Sequence, residues 1–158
     1  MTEDSPGTAG PDTLLAVRTL TRLARVLETS CDGLSLPQYR VLARIAAGQD
    51  RASRLSAHLG VAKPTITAAV DALVAAGHLT RTVDPEDRRV IGLALTPAGI
   101  AALARAEAAM AERLAPLVAL TDDPAAFISA CGSIHDELER RAEERHLMRS
   151  QATAGGRP

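Results

Sequence analysis

Apolar residues recur three and four apart near the start of the chain. Ala16, Leu20, Leu23, Ala24 and Leu27 line one face of a helix. Asp12 stands where a side-chain N-cap is expected, and Cys31-Asp32-Gly33 breaks the run. A second periodic stretch, LSLPQYRVLARIAAG, begins at Leu34. Ser35 with Gln38 three residues later forms a capping box, and Pro37 suits a first turn. Tyr39, Leu42, Ile45 and Ala46 form its inner face, and Gly48 ends it. SRLSAHLG is a short helix capped by Ser53, with Leu55 and Leu59 inward and Gly60 as its stop. VAKPTITAAVDALVAAG then places Pro64 in a first turn, Ile66, Val70, Leu73 and Val74 inward, and Gly77 at the end. Two helices joined by a few residues around a glycine make a helix-turn-helix.

The period then changes. HLTRTV and RVIGLAL are β-branched and apolar and flank DPEDR, a hairpin with a charged, proline-containing tip. Thr96 and Pro97 restart helix as cap and first turn. A long alanine-rich helix follows to about Leu120, with Pro116 as a bend or early end. TDDP opens the last helix, striped by Phe127, Cys131, Ile134 and Leu138, and ELERRAEERH beyond reads as a solvated charged face. Residues 1–11 and the tail at 150–158, rich in Gly, Pro, Ser and Thr, are expected to be disordered. The expected fold is mainly α (α+β). A winged helix-turn-helix core occupies 34–99, and a helix at 12–33 with C-terminal helices at 100–149 forms a dimerisation region.

At 158 residues the chain is long enough for one domain with a buried core and a dimerisation extension. Its two aromatics are Tyr39 and Phe127, so Ala, Leu and Val must fill that core. The N-terminus lacks the basic start and apolar stretch of a signal peptide. No uncharged apolar run approaches the ~20 residues of a membrane helix. A soluble, cytoplasmic protein with no membrane partner is expected. The net charge of −1 does not announce a polyanion partner, but its distribution does more. Residues 35–95 hold 8 Lys and Arg against 5 acids, while both flanks are net acidic; the middle is where a polyanion would be met.

Catalytic chemistry finds no carriers. There is no phosphate-cradling glycine loop and no usable Ser/His/Asp set, so no enzyme and no cofactor are expected. Cys31 and Cys131 make neither a metal pair nor a disulfide framework. Among His58, His78, His135 and His146 no two stand three or four apart. Cys131 and His135 do, but two ligands make no zinc site.

The charged hairpin tip finds its use beside the helix-turn-helix. When a helix fills the major groove, a hairpin can reach the minor groove, ~6 Å wide, whose negative potential attracts arginine. Arg88 and Arg89 lie at the tip, and a carboxylate two residues before an arginine can hold its guanidinium in a bidentate pair. LSLPQYRVLARIA, the segment from RLSAHLG to AAGHLTRTV, Asp87-Arg88-Arg89 and LTPAG together resemble the winged-helix core of the multiple antibiotic resistance regulator (MarR) family over residues 34–99. The resemblance implies a ligand-responsive homodimeric transcriptional regulator, most often a repressor, with double-stranded DNA and a small-molecule effector as partners. By position, Lys63, Pro64, Thr65, Thr67 and Ala68 open the groove-facing recognition helix. Ser53 joins this DNA-contacting set. Asp87 orients Arg89 in the minor groove, beside Arg88. Two residues depart from the family pattern. Ala62 replaces a serine cap, and Ala68 replaces an arginine, leaving an alanine that can touch a thymine methyl but cannot read guanine. The resemblance also places an effector pocket between the first helix, the second helix, the long alanine-rich helix and the winged-helix core, where Arg18, Arg22 and Arg25, with Tyr39, are candidates for holding a carboxylate. A solvent-facing basic stripe pairing with Glu28 is the plainer alternative for those arginines. The reactive cysteine of peroxide-sensing members does not align with Cys31, so no redox role is carried over. The alternative reading for the whole chain is a winged-helix module for protein contacts without sequence-specific DNA binding.

Overall fold

The computed structural model describes residues 10–49, 55, 59–83 and 91–154. Its elements run α1 (Pro11–Glu28), α2 (Leu36–Ala46), α3 (Lys63–Ala75), β1 (Leu79–Val83), β2 (Ile91–Leu95), α4 (Pro97–Val118) and α5 (Pro124–Ala154). Helical backbone also occurs at Leu55 and Leu59, within the short helix expected before α3. A mainly α fold with a small antiparallel wing is therefore the structure of this chain.

Local signals account for most of the boundaries. The Ser35 side chain accepts from the Gln38 amide while the Gln38 side chain accepts from the Ser35 amide, completing the capping box of α2. The Thr96 hydroxyl accepts from the Gly99 amide at the start of α4. Gly48, Gly60 and Gly77 take positive φ where their helices stop. At α1 the expectation needs correcting. Gly10, not Asp12, is the N-cap, Pro11 takes the first position, and no side chain caps the helix. Pro116 does not end or interrupt α4, which continues to Val118. A proline within a helix removes one backbone bond, here to the Glu112 carbonyl. The exposed turn around Glu112 leaves that carbonyl open to hydration. α5 likewise outlasts the expected boundary at 149, remaining helical to Ala154.

The core forms where α2, α3, the wing and α4 meet. Val41, Leu42 and Ile45 pack against Ile66, Val70 and Leu73, with Leu79, Leu93 and Leu103 closing the cluster. Fully burying each such side chain contributes roughly 1.5–3 kcal/mol. Ala46, expected inside, is exposed, and Val41 takes the inner position. The inward face of α2 is thus rotated toward Val41 by contact with both α3 and α4. In the wing, Leu79 pairs with Leu95 and Arg81 with Leu93. Leu79 and Leu93 accordingly share the face turned to the core, since strand residues two apart point the same way.

A corner joins the recognition segment to α4. Thr96 donates its amide to the His78 carbonyl at 3.1 Å and its hydroxyl to the Gly77 carbonyl at 2.6 Å. Gly99 comes so close that a Cβ there would lie 2.0 Å from the His78 carbonyl oxygen. The Thr-Pro-Ala-Gly sequence therefore clamps the end of α3 and the wing onto the start of α4.

The outer helices behave differently. α1 has no buried residue, and of its expected stripe only Leu23 and Leu27 reach half-burial. Leu14, Leu15, Val17 and Leu20 are exposed. On α5 Phe127 is half-buried, whereas Cys131, Ile134 and Leu138 lie exposed. One side of the charged run of α5 is the expected solvent ladder, but Glu139 turns to Arg44 of α2 and Ala142 is buried. Glu137 accepts from Arg140 and Arg141, and these hydrogen bonds bring its carboxyl down to about 2.

Candidate nucleic-acid interface

The amino-terminal half of α3 separates two kinds of residue. Ile66, Ala69, Val70 and Leu73 turn into the core, which orients the opposite face outward. Lys63, Pro64, Thr65, Thr67 and Ala68 are all exposed. The core contacts thus bring these five candidates together on one surface. Ala62 provides no side-chain cap, as its residue type dictates. The Thr65 and Ile66 amides instead bond the Ala62 carbonyl at 3.0 and 3.3 Å. No acidic residue stands in this first turn, so the positive end of the helix dipole is uncompensated and reinforces Lys63. Such a helix start favours anions, phosphates among them. The Thr67 hydroxyl is engaged by the Lys63 carbonyl at 3.0 Å, yet it keeps its acceptor lone pairs and its methyl group for an outside partner. Farther along α3, Asp71 pairs with Arg81 of β1 at 2.6 Å, an exposed link between the helix and the wing. Ser53, Asp87, Arg88 and Arg89 lie outside the described residues.

The candidates for an effector pocket are not gathered into one site. Arg22 lines a cleft of about 380 Å³ between α1 and α4, walled by Leu23, Val26, Leu114 and Leu117 and reaching Phe127 of α5. Arg25 is exposed and pairs with Glu28 at 2.9 Å, the solvent-facing arrangement that was the plainer reading of this stripe. Arg18 is exposed and lines neither of the clefts that hold Arg22 and Tyr39. Tyr39 belongs to a different place. It packs beside Cys31, Ala106 and Met110 on one side and opens on the other into a cleft between α2 and α5. Burial raises its hydroxyl pKa above the ordinary value, as do Glu107 and Cys31, while Arg40 opposes them.

That second cleft went unread in the sequence. It joins Arg40 and Arg44 of α2 to His135, Glu139 and Arg145 of α5. The arginines four apart on α2 were a signal for one basic wall. Glu139 and Arg145 belong to the charged run that reads as a solvated face, because helical spacing alone does not show which neighbour a helix meets.

The two thiols have opposite settings. Cys31 is buried, donates to the Leu27 carbonyl at 3.4 Å and lies 3.9 Å from the Met110 sulfur. Burial, and then the charge of Glu28, raises its pKa. Cys131 is exposed. Among the described residues no cluster of His, Cys, Asp and Glu could hold a metal ion, and no helix is long and apolar enough to cross a membrane.

Comparison with curated protein sequences returns no match. Residues 32–90 match the family model of the MarR family. Solved structures share the fold over most of the chain. A point mutant of MarR from E. coli is 22% identical, covers 80% of this chain and 97% of its own, and superposes with a TM-score of 0.68. CouR from Rhodococcus jostii RHA1, in complex with p-coumaroyl-CoA, is 23% identical over 87% of this chain and 96% of its own, with a TM-score of 0.66. A point mutant of MepR from S. aureus, bound to an oligodeoxyribonucleotide, is 16% identical over 86% and 99%, with a TM-score of 0.57. The exposed α3 start, the wing and the α4 corner lie in or directly beside the matched segment: residues 32–90 are similar to the MarR family, within a fold that this chain shares with solved MarR-family structures.

Proposed function

We propose that this protein is a cytoplasmic, homodimeric transcriptional repressor that binds a pseudo-palindromic DNA operator and releases it in response to a small molecule. The observation that carries the reading is the exposed start of α3, where Lys63, Thr65, Thr67 and Ala68 face outward on a helix whose other side is locked into the core. In the proposed complex this end enters the major groove. Lys63 meets phosphate or guanine, the threonines meet base edges, and Ala68 touches a thymine methyl. The Asp87-Arg88-Arg89 segment of the wing supplies the minor-groove arginine. The binding of an oligodeoxyribonucleotide by MepR and of p-coumaroyl-CoA by CouR supports DNA and small-molecule partners for this fold.

Homodimerisation is supported by the apolar surface left on the outer helices. Leu14, Leu15, Val17 and Leu20 of α1 and Ile128 and Ile134 of α5 are exposed. Apolar patches of this kind mark protein contacts, and a two-fold pairing covers the same patch on both copies. It would also set two α3 helices in successive major grooves. Regulation rather than catalysis is the proposed role.

Selection from random DNA with the full-length protein tests this. A pseudo-palindrome with half-sites roughly 10 bp apart is expected, bound less well as salt rises. Lys63→Ala and Arg89→Ala should each weaken the selected site, Arg89→Ala by about 1–3 kcal/mol if Arg89 reads bases. Selection without enrichment, and binding indifferent to both substitutions, would leave the protein-contact module as the better reading.

A further inference from the structure

The 158 residues hold seventeen arginines and one lysine, Lys63. The two kinds of cation differ as nucleophiles. A guanidinium stays protonated in a protein and offers no free lone pair. A lysine amine that gives up its proton is a nucleophile and a target of acylation. Apart from the α-amino terminus, Lys63 is therefore the one amine on which an activated acyl group can leave a stable amide. Its setting leaves it open. It is the first residue of α3, it is exposed, and its ammonium makes no hydrogen bond or ion pair with any described residue. The backbone beneath it is fixed. The Thr67 hydroxyl donates to the Lys63 carbonyl at 3.0 Å, the ring of Pro64 locks the next φ, and the Thr65 and Ile66 amides return to the Ala62 carbonyl. The charge balance of α3 is simple. Lys63 and Asp71 are its only ionisable residues, and Asp71 is paired with Arg81. Lys63 thus brings the only positive side chain that α3 offers to a polyanion.

We propose that Lys63 is an acylation site, modified by an acyl phosphate or an acyl thioester, and that the modification turns off DNA binding. The neutral Nζ attacks the acyl carbon. A C–N amide bond forms, and the C–O bond of the acyl phosphate or the C–S bond of the thioester breaks. Phosphate or thiolate departs with the electron pair, and Nζ releases its proton to water. Nothing is oxidised or reduced. The amide is neutral, so acylation removes a charge and an ion-pair donor, and Asp71 becomes the only charged side chain of α3. The one internal amine open to this chemistry is thereby the one whose charge bears on the recognition surface. The chemistry of the amine stands by itself, while its effect on DNA rests on the regulator reading. Bound DNA should in turn shield Lys63 from the donor.

The full-length protein is incubated with acetyl phosphate in one arm and acetyl-CoA in the other, at mildly alkaline pH. Hydroxylamine then clears any thioester from exposed Cys131 and spares the amide. Peptide mass spectrometry should find one internal acetyl group, on Lys63, from at least one donor, and none in Lys63→Arg. The arm that succeeds names the donor class. Acetylated wild type should bind the selected DNA at least ~10-fold more weakly, the scale of one hydrogen bond to a charged group. Its salt dependence should flatten by about one phosphate contact per chain. Lys63→Arg is compared with itself before and after treatment, and its affinity should not move. Saturating selected DNA should slow acetylation of Lys63 several-fold. Lys63 is exposed, so the acetylated protein should keep its melting temperature. Failure of both donors under conditions that acetylate a short lysine peptide would overturn the site. Full acetylation without loss of affinity, an equal loss in treated Lys63→Arg, or a loss that follows a lowered melting temperature would overturn the switch. If the unmodified protein selects no DNA, the regulator reading fails and the switch with it, while the mass spectrum still decides the acylation site.

Discussion

Gly99 is the most demanding backbone position in the fold, and Gly99→Ala is the perturbation that tests the corner. Residue 99 lies in the first turn of α4, where helix propensity alone favours alanine over glycine by about 1 kcal/mol. The tertiary contact has the opposite sign. An added Cβ would lie 2.0 Å from the His78 carbonyl oxygen and 2.9 Å from its carbon. Both are backbone atoms, so no rotamer change relieves the overlap. The same carbonyl accepts from the Thr96 amide at 3.1 Å, and moving it by the ångström or so required breaks that bond. Overpacking typically costs 1–3 kcal/mol, and a lost hydrogen bond adds about 1 kcal/mol. Against the propensity gain, a net loss of about 1–3 kcal/mol is expected. Urea denaturation at one fixed protein concentration measures it, as a lower midpoint with an unchanged slope. Gly48→Ala serves as the comparison. It has open space but a φ of +87°, so left-handed strain alone should cost about 1–2 kcal/mol. If Gly99→Ala equals or exceeds wild type in stability, the rigid His78–Gly99 contact is refuted.

Ser35→Ala removes one half of the capping box of α2 and should cost about 1 kcal/mol in the same denaturation assay. The raised pKa of the buried Cys31 favours the protonated thiol in the folded state. Its contribution to stability is complete below pH 9.0, the ordinary thiol value, and is lost as pH rises through the folded-state value. Tyr39 works in the same direction, so Cys31→Ala should flatten only part of the alkaline decline in melting temperature. A thiol reagent under native conditions should modify exposed Cys131 quickly and Cys31 only on unfolding, which quantitation of released chromophore reads directly. Ala68→Arg adds a cation to the exposed face of α3 and should steepen the salt dependence of DNA binding by about one phosphate contact, a slope change near −0.9; an unchanged slope in a titration across salt would remove that face from the interface.

What could be read directly from the chain was local. Ser35 reaches Gln38 and Thr96 reaches Gly99 within one helical turn, so the residue types alone settle those bonds. Gly48, Gly60 and Gly77 stop helices because positive φ costs them little. The hairpin followed from two apolar runs around a polar tip. The order of these elements was enough for a winged helix, and α3's buried positions set its outward face by periodicity. Elsewhere the deciding partner was distant in sequence. Val41 rather than Ala46 is buried because α2 meets α3 and α4 together, and a helical stripe does not say how wide its covered face is. Gly99 looked like an ordinary residue of a first turn until the His78 carbonyl arrived beside it. The arginines of α1 shared a stripe, yet Arg22 went to a cleft, Arg25 to Glu28 and Arg18 to the surface. Arg44 and Glu139 carry no mark of each other in the chain, and only the approach of α5 to α2 makes them a pair. Bonds a turn apart form wherever a helix forms. Contacts between helices depend on how each helix docks, and that is decided by the whole core at once.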